Sequence, residues 1–126
     1  MAITYEIDEE RSIVMTTVTG RLTDAELMAH KEALLADPRF SAGMKELSDI
    51  RGIEDLDVTP QGIMAAASFD SQNNAELATH RLGLLVPTDL VFGMARMYEM
   101  RTEGNTGGVK VFRNEEEAML WLGASD

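Results

Sequence analysis

Ile3, Tyr5 and Ile7 alternate with Thr4, Glu6 and Asp8, the period-2 pattern of a half-buried strand. Asp8–Arg11 is polar and turn-like, and Ile13–Thr19 supplies a second β-branched run. The chain therefore opens with a hairpin. Thr23-Asp24-Ala25-Glu26 reads as a capping box, with Leu22 and Leu27 as the flanking staple. A helix follows from Asp24 to about Ala36, with Leu27, Met28, Leu34 and Leu35 on one face. Asp37-Pro38 ends it, because the residue before a proline is pushed out of the α region. Glu46–Ile50 predicts a short third strand.

Thr59 caps the next helix, with Pro60 at its first position, where no donor is lost. Ile63, Met64, Ala66 and Ala67 form its buried stripe. Asp70 would rotate onto that stripe, so the helix is expected to fray near Phe69, leaving Asp70–Thr79 as a polar connection. Leu82–Val86 is nearly all apolar, as in a strand covered on both faces. Pro87-Thr88-Asp89 opens a third helix running to about Thr102. Glu103–Gly108 is a glycine-rich loop, and Val109–Phe112 is a strand. Asn114 caps a last helix whose first turn holds Glu115, Glu116 and Glu117, where negative charge suits the helix dipole. Ala118, Trp121 and Leu122 face inward from it. The fold class is α/β: a mixed, mostly parallel sheet of four to five strands, with an N-terminal hairpin and about four helices. The 126 residues form one domain, with no repeat or linker.

Charge narrows the partners. Acidic residues number 22 against 11 Lys and Arg, a net charge of −11. The basic residues are scattered singly, so neither a nucleic-acid footprint nor an anionic membrane surface is served. There is no cysteine, which removes thiol catalysis, disulfides and thiolate metal sites. Met1–Arg11 is acidic and lacks an apolar segment, unlike a signal peptide. The longest charge-free stretch, Val58–Phe69, is twelve residues, too short to span a bilayer. A cytoplasmic protein without a cofactor is expected.

Chemistry is sparse. The HExxH, GxGxxG, Walker and GxSxG signatures are all missing from the sequence. His30 reads as a surface or boundary histidine, and His80, just before a strand, has no more pronounced role. Asp49, Asp55 and Asp57 bracket the loop after the third strand, where open α/β sheets place ligands, although loop aspartates are usually turn formers. Thr23, Thr59 and Thr88 are helix caps. Thr59 and Thr88 would also accept phosphate at a favourable helix end. Lys31 falls inside the apolar stripe of the first helix, which reads as a snorkelling lysine or, more sharply, as a lysine within a cavity. An enzyme would need Asp49, Asp57, Lys31 or Arg96 to converge in one cleft.

The third helix is apolar beyond its core stripe of Leu90, Val91, Met94, Met97 and Tyr98: Phe92 lies on the opposite side near Arg96, and Met100 off to one flank. Such a Met-rich surface suits a partner or a flexible cleft. Phe92, Arg96 and Met100 are the candidate interface of a homodimer. Met64, Met94 and Met97 are the candidate walls of an apolar ligand cleft.

With these segments in view, the chain resembles the SpoIIAA-like proteins, small bacterial domains related in fold to the STAS (anti-sigma-factor antagonist) domains. The resemblance covers nearly the whole chain. It rests on the hairpin, LTDAELMAHKEALLADPRF (Leu22–Phe40), ELSDIRGIEDLDVTPQGI (Glu46–Ile63), VPTDLVFGMARMYE (Val86–Glu99) and VFRNEEEAMLWL (Val111–Leu122). It implies a four- or five-stranded sheet flanked by helices and a non-enzymatic module that binds protein partners, nucleotides or other small ligands. Related domains hold lipids in an apolar cleft. The antagonists proper carry a phosphorylatable serine in an Asp-Ser-Ser-Gly type turn. Here the strand ends Ser48-Asp49-Ile50-Arg51-Gly52, without a serine after the aspartate, and Thr59 is only a positional substitute. The expected function is thus a non-catalytic binding or regulatory module acting through protein contacts, with carriage of a small apolar or lipid-like ligand as the alternative.

Overall fold

The computed structural model describes residues 2–77, 80–101 and 107–123. Strand β1 (Ile3–Asp8) pairs antiparallel with β2 (Ile13–Thr23), as the alternation predicts. Helix α1 (Asp24–Ala36) leads to β3 (Lys45–Asp57), and α2 (Pro60–Gln72) and the single turn α3 (Asn74–Leu77) lead to β4 (Arg81–Leu85). Helix α4 (Asp89–Arg101) precedes β5 (Gly108–Phe112), and α5 (Glu115–Leu122) closes the order. The five strands lie in sequence order, with every pair after the hairpin parallel. Parallel crossovers are right-handed, so steps that always move the same way across a sheet put their helices on one face. Helices α1, α2 and α4 accordingly share a face, and α5 packs on the other against β3, β4 and β5. Among the described residues no helix is long and apolar enough to cross a membrane.

The sheet's alternation divides two cores. Leu47 and Leu85 point toward α5 and meet Ala118 and Leu122. Glu46, Ser48 and Ile50 point the other way, with Leu82 and Leu84 beside them, under the three-helix layer. Thr16, Ser48, Leu84 and Val111 form one register row across that floor.

The caps work largely as expected. Thr23 Oγ accepts from Glu26 N, but the Glu26 carboxylate accepts from Ala2 N just ahead of the edge strand, so the box is half-closed and ties α1 to the start of β1. Thr59 Oγ accepts from Gly62 N and donates to Asp24, which also accepts from Thr59 N at 2.9 Å. The first residue of α1 thus fastens the start of α2. This needs Gly62, because a Cβ there would stand 2.0 Å from the Asp24 carboxylate.

Several expectations fail. The third strand is not Glu46–Ile50 but runs to Asp57, pairing with the far half of β2 through two register shifts. Asp49, Asp55 and Asp57 therefore lie in a strand. Asp49 pairs with Arg51, and Asp55 and Asp57 pair with Arg21 across an exposed ribbon, the ordinary use of charge on a solvated strand face. Helix α2 does not fray at Phe69: it continues through Asp70, which is 2% exposed. Met64 leaves the stripe and is 49% exposed, and Gly62 takes its place among the buried positions. Phe92 is also not turned away from the core; it packs against the buried cluster of β2, β3, α4 and β5 residues that includes Val18, Ile50 and Val111. Thr102, Ala78, Thr79 and most of the glycine-rich loop lie outside the described residues.

Candidate functional site

Between the sheet and the layer of α1, α2 and α4 lies a cavity of about 120 Å³. Its floor is Ser48, Ile50, Leu82 and Leu84, and its roof includes Leu27 and Leu34 of α1, Ile63 of α2, and Val91, Met94 and Ala95 of α4. Leu22, Leu56 and Val58 close the end where β2 and β3 overhang β4. The wall is overwhelmingly aliphatic. The apolar rows of the parallel strands and the inward leucines, isoleucine and valine of the helices account for that lining.

Two polar clusters interrupt it. In the first, Lys31 of α1 donates to Asp70 of α2 at 2.9 Å and to the Tyr98 hydroxyl of α4, and that hydroxyl donates to the second Asp70 oxygen. The Lys31 and Asp70 side chains are 14% and 3% exposed. Burial works against the Lys31 ammonium, but Tyr98 and Asp70 outweigh it and hold the lysine protonated beyond its ordinary range. Burial, with Asp70 adding to it against Lys31, pushes the Tyr98 hydroxyl above its ordinary range. A buried carboxylate without a partner would be costly. Here both of its oxygens are engaged, which is why α2 tolerates Asp70 on its inner face.

In the second cluster, Glu46 accepts from Thr16 at 2.6 Å and pairs with His30 Nε2 at 2.9 Å, with His80 Nε2 farther away at 3.4 Å. His80 Nδ1 lies 2.6 Å from the Met44 carbonyl, which can only accept, so that nitrogen carries a proton. Tyr5 and Phe40 pack edge-on against His30 and His80 and hold the two rings. Burial would raise the Glu46 pKa, yet the hydrogen bonds and charges of His30 and His80 overcome it and keep the carboxyl well below its ordinary range. His30 is a boundary histidine, as one of the two expected readings has it, and His80, just before β4, is buried. Among the described residues no cluster could hold a metal ion.

The expected site residues are only partly brought together. Met94 lines the cavity; Met97 packs at its margin against the Ile63–Tyr98 cluster; Met64 stands outside on α2. Of Asp49, Asp57, Lys31 and Arg96, only Lys31 reaches the cavity, and Arg96 is exposed and paired with Glu99. Thr59 lies at the α2 start, with its hydroxyl engaged by Asp24 and Gly62. Met100 is 66% exposed on α4, whereas Phe92 is half-buried. Sequence reasoning missed Ser48, Asp70, Tyr98 and Glu46 as cavity groups. A signal existed for one pair: Lys31 and Asp70 each fall on the apolar stripe of adjoining helices with opposite charge.

No family model and no curated protein matches the sequence. The structure is similar to the crystal structure of an uncharacterized protein from the DUF3478 family with a SpoIIAA-like fold, from Shewanella loihica PV-4. The match has a TM-score of 0.62 at 18% sequence identity, and covers 96% of this chain and 94% of the other. The fold is thus SpoIIAA-like, as the sequence resemblance implies.

Proposed function

We propose that this chain is a non-catalytic cytoplasmic binding module that holds a small apolar ligand between its sheet and helices α1, α2 and α4. The aliphatic cavity carries this reading, because its charged groups are already paired and the groups an enzyme would have to gather lie apart. An engineered cavity of about 150 Å³ with similar walls stays dry and takes up benzene. At roughly 24 cal/mol per Å³, a void of this size costs on the order of 3 kcal/mol when empty, which an occupant would recover.

Native mass spectrometry of freshly purified protein, set against the denatured mass, is expected to reveal a small non-covalent adduct. Ala95→Leu, which places three more carbon atoms against the cavity, should abolish the adduct and raise stability by about 1 kcal/mol. A wild-type chain that is bare and also refuses added toluene would sink this reading.

A second reading, contact with a protein partner, is favoured by the exposed Met100 on α4. Its simplest form is a homodimer through Phe92, Arg96 and Met100. Replacing the exposed Arg96 and Met100 with glutamine should weaken self-association in sedimentation, with Phe92 left in place because it packs into the core. A monomeric wild type, or a mass unchanged by the substitutions, removes it.

A further inference from the structure

We infer that the Ser48 hydroxyl is the anchoring point of the cavity, and that it selects an uncharged ligand of one ring or a short chain carrying a single hydrogen-bonding oxygen, such as a phenol, an alcohol or a ketone. The inference rests on the cavity being a ligand site. Ser48 sits on central strand β3, in the middle of the floor, between Glu46 and Ile50 along the strand and between Thr16 and Leu84 across it. It is 8% exposed and lines the cavity. Its hydroxyl makes no hydrogen bond among the described residues, because the neighbouring Thr16 donates to Glu46 instead.

Buried polar groups are normally satisfied. A serine flanked by Ile50 and Leu84 on two sides, facing the void with a hydroxyl that no protein group engages, is a polar contact held open for something that enters. A bridging water fits poorly, because it needs two to four polar partners and the adjacent Thr16 and Glu46 are already bonded to each other.

The other polar groups of the wall define what the ligand lacks. Lys31 is engaged by Asp70 and Tyr98, and Glu46 by Thr16, His30 and His80. An ionic head group would have to break one of these closed sets and would enter an aliphatic space with no counter-ion of its own. A charge without a partner in such a place is strongly disfavoured. A neutral molecule with one oxygen requires neither, and the single unpartnered hydroxyl matches it in number.

Phenol and toluene test this, since they have the same number of heavy atoms and differ in one hydroxyl. Their affinities are measured by NMR titration of wild type and Ser48→Ala, with benzoate as the charged probe and thermal midpoints as the check on folding. Wild type should favour phenol over toluene by about fivefold more than Ser48→Ala does, the weight of one neutral hydrogen bond. Toluene affinity should be nearly the same in both proteins, and benzoate should not bind. A phenol-to-toluene ratio equal in the two proteins overturns the anchoring role while leaving the cavity a binding site. Benzoate binding more tightly than phenol overturns the selection of uncharged ligands. If wild type takes up neither phenol nor toluene, the binding-module reading fails and this inference fails with it.

Discussion

Asp70→Ala is expected to lower stability by about 3–5 kcal/mol, the usual result of removing one member of a buried ion pair. The substitution leaves Lys31, its side chain 14% exposed, with its ammonium on the cavity wall and the Tyr98 hydroxyl as its remaining partner in the cluster. Small domains are stable by about 5–15 kcal/mol, so a large share would go. The pair itself is not the source of that energy. Burying both charges costs nearly as much as their attraction returns. The triple change Lys31→Met, Asp70→Leu and Tyr98→Phe should therefore cost far less than Asp70→Ala alone. Urea midpoints of the single and triple variants measure the difference. A loss below about 1 kcal/mol for Asp70→Ala would show that solvent reaches the cluster. The pH dependence has a defined sign. Lys31 is held protonated beyond its ordinary value of 10.5, so its contribution is complete below that pH and disappears as pH rises through the folded value. Asp70→Ala should accordingly flatten the alkaline limb of the stability profile.

The same cluster shows where the sequence is legible and where it is not. Elements set by local chemistry could be read directly. The Ile3–Ile7 alternation, the Thr23, Thr59 and Asn114 caps and the Asp37-Pro38 stop all stand where local rules put them. The capping box is only half right because Glu26 found a better donor in Ala2, and no local pattern reports a neighbour 24 residues away. Strand β3 was read too short because two register shifts against β2 spoil the period-2 alternation beyond Ile50. Asp70 ends a helix by local logic and continues it by tertiary logic, once Lys31 and Tyr98 arrive from two other helices. Met64 and Phe92 went wrong for a related reason. A helical wheel gives spacing but not which neighbour covers each flank, and α2 turns Gly62 inward while α4 tucks Phe92 against the buried cluster that includes Val86 and Val111. The cavity is the least legible feature, because a void is a property of packing between elements and no residue encodes it alone. Of the three methionines expected to wall it, only Met94 does so. Its aliphatic character was visible in the strands, but the unpartnered Ser48 on its floor was not, since a serine inside a strand carries no mark of where its hydroxyl points.

Glu46→Gln should destabilise the fold by about 3 kcal/mol at neutral pH, because the carboxylate accepts from Thr16 and pairs with His30 while 5% exposed, and hydrogen bonds to a charged group are worth about 1.5–3 kcal/mol each. The amide has the same size but no charge, so its bonds to Thr16 and His30 lose their charge assistance. The effect is bounded in pH. The groups facing Glu46 are Thr16 of β2, His30 of α1 and His80 just ahead of β4, and the two histidines depress its pKa below the ordinary 4.5 despite burial. A depressed carboxylate contributes stability that is fully present above its unfolded pKa and is lost as pH falls through the folded value. The gap between wild type and variant should therefore be full above about pH 5 and narrow as the solution is acidified below 4.5. Guanidinium midpoints of both proteins at pH 6 and pH 3 decide it. A gap that stays constant would mean that the variant loses packing and not charge. A gap that widens in acid would reverse the sign and place a protonated Glu46 in the folded state. The outcome also bears on the cavity, since Glu46 lines it. A carboxylate that remains charged on the cavity wall depends on its two histidines staying in place.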